Sequence, residues 1–293
     1  MCRLLFAAIS REAVSTLIQL LDAYRKAVWS DPLLEKVYGG KSHCNGFGVV
    51  IALAIDGSWS IHYERFDAYG CASNPCMVNL SALDVMLGRV RETIIGGGWD
   101  RLVLMIHSRR ASEGEPKGTL YAHPFHYSVA GPNGAIDLFF SHNGGVDKER
   151  LANALDVKGP LSIYSDSFLA GLYLSNMLAK GHDIVASLRS LSCFVKSSSA
   201  LNLNILVLSS NGGQTRVKAY VVGLLGHAAK NDPARRAYYE SVLVEGRGLI
   251  GYVSSTVRDY GSGISGLTFN VLDGELVEID PMALTYNVVK LEG

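Results

Sequence analysis

A cysteine follows the initiator methionine in the opening stretch MCRLLFAAIS. Three polar clusters lie further along: HSRRASEG at 107–114, SHNGG at 141–145 and YSDS at 164–167. Each has a plain structural reading. Cys2 reads as a small buried residue, Arg109 and Arg110 as surface charges, Asn143-Gly144 as a tight turn, and Ser165-Asp166 as a helix cap. The combination contains a nucleophile, a cation, oxyanion donors and an anion. Those are the parts of an acyl-transfer site for an amino-acid amide. A thiol attacks the carboxamide carbon. An Asn amide and a glycine N–H can hold the oxyanion, and glycine lets the backbone come close. An arginine fork suits an α-carboxylate, and a carboxylate suits an α-ammonium. If Met1 is removed, the α-amine of Cys2 can serve as the base, because such amines titrate near ~7.7–8.0 and activate N-terminal nucleophiles.

Such side chains need strands to hold them, and the clusters stand where apolar runs end. RLLFAAI reads as a buried strand. Val14, Leu17, Ile18, Leu21, Tyr24 and Val28 recur at helical spacing, with Ser10 a candidate N-cap and Asp31-Pro32 a stop. LEKVYGGKSHCNG is a loop, and FGVVIALAIDGSWSIHYERF is a hairpin on Asp56-Gly57. CASNPCMVN reads as a loop before a helix from Leu80 to Ile95, which Gly96-Gly97-Gly98 ends. RLVLMIH and AIDLFFSH are strands, and Lys148 to Leu155 is a short helix. A helix runs from the YSDS cluster to about Ala179, and another from Ile184 to Leu191. The last third is β-rich, with a hairpin on Asn211-Gly212-Gly213, the run GLIGYVSSTV, and LTFNVLDGELVEI carrying an Asp-Gly turn. HAAKNDPARRAYY at 227–239 reads as a surface insertion. Hairpins with helices between them predict an α+β fold with largely antiparallel sheets. No linker marks a boundary, so one domain over 2–293 is expected.

Composition narrows the function further. The 293 residues are 48% hydrophobic, and Lys+Arg and Asp+Glu each total 27. A formally neutral chain lacks the charge footprint of nucleic-acid binding. It also has no basic block for a membrane surface and no apolar stretch near the ~20 residues of a span. The apolar run Leu4–Ile9 is shorter than the ~7–15 residues of a secretory signal core. A soluble, cytoplasmic protein is expected. The five cysteines include no C-x-x-C pair, which argues against a disulfide framework or a zinc site. Cys71 and Cys76 are close enough to pair, though buried or free thiols are the favoured reading. His107, His123 and His142 sit on separate segments without H-x-x-x-H spacing, so no metal is expected. Neither a Walker lysine nor G-x-G-x-x-G occurs, so no nucleotide and no cofactor are expected.

Met1-Cys2, HSRRASEG, YAHPF, SHNG and YSDS occur in the order found in class II glutamine amidotransferase domains, members of the N-terminal-nucleophile (Ntn) hydrolases. The chain resembles that family over most of its length, in a stand-alone form. HCNGFGVVI resembles the family's early glycine-rich strand, LNLNILVLS a later core strand, and LDGELVEI a hairpin near the end. The resemblance implies a four-layer αββα sandwich of two mainly antiparallel sheets. It also implies roles. Cys2 becomes the nucleophile once Met1 is removed, and Asn143 and Gly144 form the oxyanion hole. Arg109 clamps the glutamine α-carboxylate with help from Ser112, and Asp166 meets the substrate ammonium. Arg110 and Glu113 depart from the family's tryptophan and histidine, and Cys44-Asn45 stands where many relatives carry an acidic residue.

The activity expected from this resemblance is glutamine hydrolysis through a γ-glutamyl thioester, releasing ammonia and glutamate. Another γ-glutamyl amide is an alternative substrate, and a silent ligand- or partner-binding relative is an alternative of a different class. A separate ammonia-accepting synthase is a candidate partner, and a homo-oligomer stays open.

Overall fold

The run CRLLFAAI forms β1 (Cys2–Ile9), buried along its whole length. A strand covered on both faces reads as a continuous apolar run, and β1 has that position. It lies between β4 (Arg101–Arg109) and β10 (Leu249–Ser254), antiparallel to both. The computed structural model describes residues 2–291, the Asn211 side chain excepted.

The other strands are β2 (Phe47–Ile55), β3 (Ser58–Phe66), β5 (Phe125–Gly131), β6 (Gly134–Gly144), β7 (Ala200–Asn211), β8 (Gln214–Leu225), β9 (Ser241–Gly246), β11 (Thr268–Leu272), β12 (Glu275–Asp280) and β13 (Thr285–Lys290). They form a seven-stranded sheet, β11-β9-β10-β1-β4-β2-β3, and a six-stranded sheet, β13-β12-β8-β7-β6-β5. The pairings within both are antiparallel. The helices are α1 (Val14–Trp29), α2 (Pro32–Tyr38), α3 (Pro75–Gly96), α4 (Lys148–Ala154), α5 (Asp166–Ala179), α6 (Ile184–Ser192), α7 (His227–Asn231), α8 (Pro233–Tyr239) and α9 (Ser255–Gly261).

Side-chain alternation divides the core into layers. Leu5, Ala7 and Ile9 pack under α1 and α3, with Leu17, Leu21, Leu83 and Leu87. Leu4, Phe6 and Ala8 point the other way. They meet Phe139, Leu206 and Val221 of the second sheet. The outer face of that sheet is covered by α5 and α6, through Leu169, Leu174 and Leu188. The result is the expected α+β sandwich of helices, sheet, sheet and helices.

Several local expectations are corrected. Only the first half of the loop assigned to CASNPCMVN is a loop: residues 75–79 are the first turn of α3, which Asn74 caps and Pro75 opens. Proline fits at that position because its missing N–H has no helical partner there. Ser10 makes no side-chain cap bond and precedes a short 3-10 turn, Arg11–Ala13. Residues 227–239 are not a surface insertion: they form α7 and α8, and Tyr238 is fully buried. The Asp273-Gly274 turn closes no hairpin. β11 pairs with β9 in one sheet, and β12 pairs with β8 and β13 in the other. Cys44 and Cys76 form a disulfide, and Cys71 is free. The bonded pair is 32 residues apart in sequence, so spacing alone does not reveal it. Among the described residues, no helix is long and apolar enough to cross a membrane.

Candidate active site

Cys2 begins β1 directly opposite Arg109, the last residue of β4. It shares the parity of Leu4 and Phe6, so its thiol faces the space between the sheets. From the second sheet, β6 ends at Asn143 and Gly144. The Cys2 backbone N–H donates to Asn143 Oδ1 at 2.9 Å. That bond ties the start of one sheet to the rim of the other and leaves the Asn143 amide N–H₂ as a donor. Gly144 has φ +156, and a Cβ there would lie 1.8 Å from the Ala200 carbonyl oxygen. No other residue fits that approach. α5 brings in Asp166, behind its N-cap Ser165.

One cleft is lined by Cys2, Arg109, Arg110, Ser112, Gly144 and Asp166. The structure thus brings together all the residues singled out at 2, 109, 112, 144 and 166, with Asn143 bonded beside them. Met1 lies outside the described residues. The cleft is narrow, with a free volume of about 20 Å³, room for one water.

Electrostatics favour a reactive thiol. Burial alone would raise the Cys2 pKa, but the positive charges around it, that of His107 foremost and that of Arg109 least, outweigh it together with a hydrogen bond from His107 and lower it to about 6. Arg109 is itself buried, and its Nη1 donates to the Pro116 carbonyl at 2.8 Å. Its backbone is held by a neighbouring loop: Asn45 N–H donates to Arg109 C=O at 2.7 Å, and Arg109 N–H to Gly46 C=O at 2.8 Å. The Cys44–Cys76 disulfide is one residue from that contact.

Arg3, on the opposite face of β1, has a fully buried guanidinium. It pairs with Asp31 at 2.6 Å and donates to the Cys2 carbonyl at 3.4 Å. Asp31 also accepts from Thr256 Oγ1, and it caps α2 through Leu33 and Leu34 N–H. Burial works to raise the Asp31 carboxyl, but Arg3 and His43 hold it well below its usual range. A buried pair of this kind fixes geometry more dependably than it adds stability.

Sequence reasoning missed other cleft residues. His107, His123 and His142 come from three segments and converge here: His123 and His142 line the cleft, and His107 packs against them. The rings of His107 and His123 are 4.1 Å apart, and His107 Nε2 is 3.2 Å from the His142 carbonyl. Burial, then the charges of His107 and Arg109, lower His123 well below its usual value, and burial lowers His142 to about 4. A neutral His142 donates from Nε2 to the Ala200 carbonyl and accepts at Nδ1 from Ser167 Oγ. Among the described residues, no group of three or more His, Cys, Asp or Glu is arranged to hold a metal ion. Glu113 was singled out as a departure, but it does not line this cleft; Glu115 does. Only its place on the loop after Arg109 pointed to it.

No family model matches the chain, and no curated protein matches it in sequence. Solved structures do. One is glutamine phosphoribosylpyrophosphate (PRPP) amidotransferase from B. subtilis complexed with ADP and GMP. It has a TM-score of 0.50 and 14% identity, covering 99% of this chain and 49% of that one. A second, described as the allosteric regulatory enzyme of purine biosynthesis, has a TM-score of 0.51 and 15% identity over the same shares. This chain spans about half the length of these solved chains. At such identity the likeness shows a shared fold.

Proposed function

We propose that residues 2–293 form one glutamine amidotransferase-like amidohydrolase. The observation that carries this reading is the meeting of Cys2 with Asn143 at 2.9 Å, directly across from Arg109. Two guanidiniums, Arg109 and Arg110, and two carboxylates, Glu115 and Asp166, line the same cleft. That balance suits a zwitterion, as an amino acid is. The similarity in fold to a glutamine-named amidotransferase supports the same chemistry.

Removal of Met1 frees the Cys2 amine. The thiolate attacks the side-chain carboxamide carbon of glutamine, and the oxygen becomes an oxyanion held by Asn143 Nδ2 and the Gly144 N–H. Collapse breaks the C–N bond. Ammonia leaves with the proton that the Cys2 amine returns, and a γ-glutamyl thioester remains. Water, deprotonated by the same amine, adds to the thioester and releases glutamate and the thiol. Arg109 and Ser112 hold the α-carboxylate. The narrow cleft requires the 110–118 loop to shift for a substrate of this size to enter. The ammonia is consumed by a separate synthase.

A second reading, hydrolysis of a different γ-glutamyl amide, is favoured by Arg110. Its guanidinium lines the cleft and rests on Gly40, where a Cβ would lie 2.1 Å from Nη1.

Intact mass should show loss of Met1. An electrophilic glutamine analogue should add one covalent equivalent, absent in Cys2→Ala. Retained methionine, or no labelling of the processed chain, would count against the proposal. Ammonia release measured over glutamine and a series of γ-glutamyl amides decides between the two substrates.

A further inference from the structure

We infer that Glu115 is a second receptor for the substrate ammonium, beside Asp166. The inference rests on the amidohydrolase reading above and deepens it. Glu115 belongs to the loop that follows Arg109, and its side chain lines the cleft that holds Cys2. Its Oε1 is 2.9 Å from Lys148 Nζ, the first residue of α4. Its Oε2 is buried and meets no donor. A buried carboxylate oxygen without a donor is costly, and most such atoms in proteins are partnered.

Asp166 is placed differently. Its Oδ1 accepts from the Ser167 N–H at 2.7 Å and lies 3.2 Å from Ser167 Oγ, whose one proton goes to His142, and its Oδ2 accepts from the Val146 N–H at 3.2 Å. A carboxylate offers about four lone-pair sites in all. Backbone donors therefore occupy one site on each Asp166 oxygen and fix the group between the start of α5 and the segment after β6. An α-ammonium brings three N–H donors. Asp166 alone leaves it short of well-directed acceptors, whereas Glu115 Oε2 is wholly free. The two carboxylates also sit on different elements, one on α5 and one on the loop after β4. An ammonium between them is gripped from both sides, and Lys148 keeps the Glu115 carboxylate from carrying an uncompensated charge.

The test compares glutamine with its des-amino analogue, 4-carbamoylbutanoate, in the full-length processed enzyme. The wild type should prefer glutamine strongly in kcat/KM. Glu115→Gln should lower kcat/KM for glutamine by about tenfold or more, mainly through KM, as expected for a lost charged hydrogen bond. It should leave the des-amino amide nearly unchanged. Lys148→Gln removes the ion pair and keeps the acceptor, so it should retain the preference for glutamine. The assignment is overturned if Glu115→Gln slows both amides equally, or if Lys148→Gln erases the preference in the same way. Either result would make Glu115 only a loop tether. Absence of turnover together with absence of Cys2 labelling in the wild type would overturn the amidohydrolase reading and this assignment together. Turnover with unchanged discrimination would overturn this assignment alone.

Discussion

Cys2 has a buried thiol whose acidity is set by its neighbours. Burial opposes the thiolate, but His107 and the other positive charges around it favour it more, and the result is about 6. The thiolate is the reactive form. Alkylation of Cys2 by a small neutral reagent should therefore be flat above about pH 7 and fall tenfold per unit below 6. A profile still rising to pH 9 would show an unperturbed thiol. Asn143 is predicted to matter through its amide nitrogen. Asn143→Ala should cut kcat by about 10²–10³, the usual loss for one oxyanion donor, with KM moving far less. Steady-state ammonia release reads both parameters. Asn143→Asp keeps the acceptor for the Cys2 N–H but removes the donor, so it should share the kcat loss.

Among the elements, the loop before β2 governs the site from outside. Asn45 and Gly46 hold the Arg109 backbone, and Asn45 Oδ1 accepts from the Ala111 N–H at 3.0 Å. The disulfide fastens that loop to α3. Closing a loop of 32 residues is worth about 3–4 kcal/mol on the chain-entropy model. Cys44→Ala/Cys76→Ala should lower unfolding stability by that order in urea titrations. It should also raise KM for glutamine, because Arg109 loses its brace. A reducing compartment opens such bonds, so dithiothreitol should reproduce both effects on the wild type and neither on the double variant. The strands and their polar ends were legible in the sequence, because a strand buried on both faces is written as an unbroken apolar run, as in CRLLFAAI and RLVLMIH. The disulfide was not legible, nor was the role of Glu115. Both depend on loops whose paths are set by tertiary contacts and not by local periodicity. The divergence of β11 from β12 was hidden for a similar reason: an Asp-Gly turn looks the same whether its strands pair or part.

At the scale of the whole molecule, the two sheets are held by one apolar layer between them, and the cleft opens at its polar rim. Phe6 is 1% exposed at the middle of that layer. Phe6→Ala should cost about 3–5 kcal/mol, measured by urea unfolding. It should also reduce kcat, since β1 carries the proposed nucleophile, Cys2, at its end. The position of β1 has a further consequence for synthesis. A ribosome delivers this strand well before its partners, which arrive at residues 101–109 and 249–254. Contacts so distant along the chain form slowly. Until they form, β1 is an apolar ribbon with both edges open, the kind of surface that recruits other chains. A nascent chain halted before residue 249 would therefore carry the thiol without its seat. The end of β1 that carries Cys2 is thus made long before the strands that seat it, and a chaperone that shields it would bear on yield more than on the stability of the finished fold.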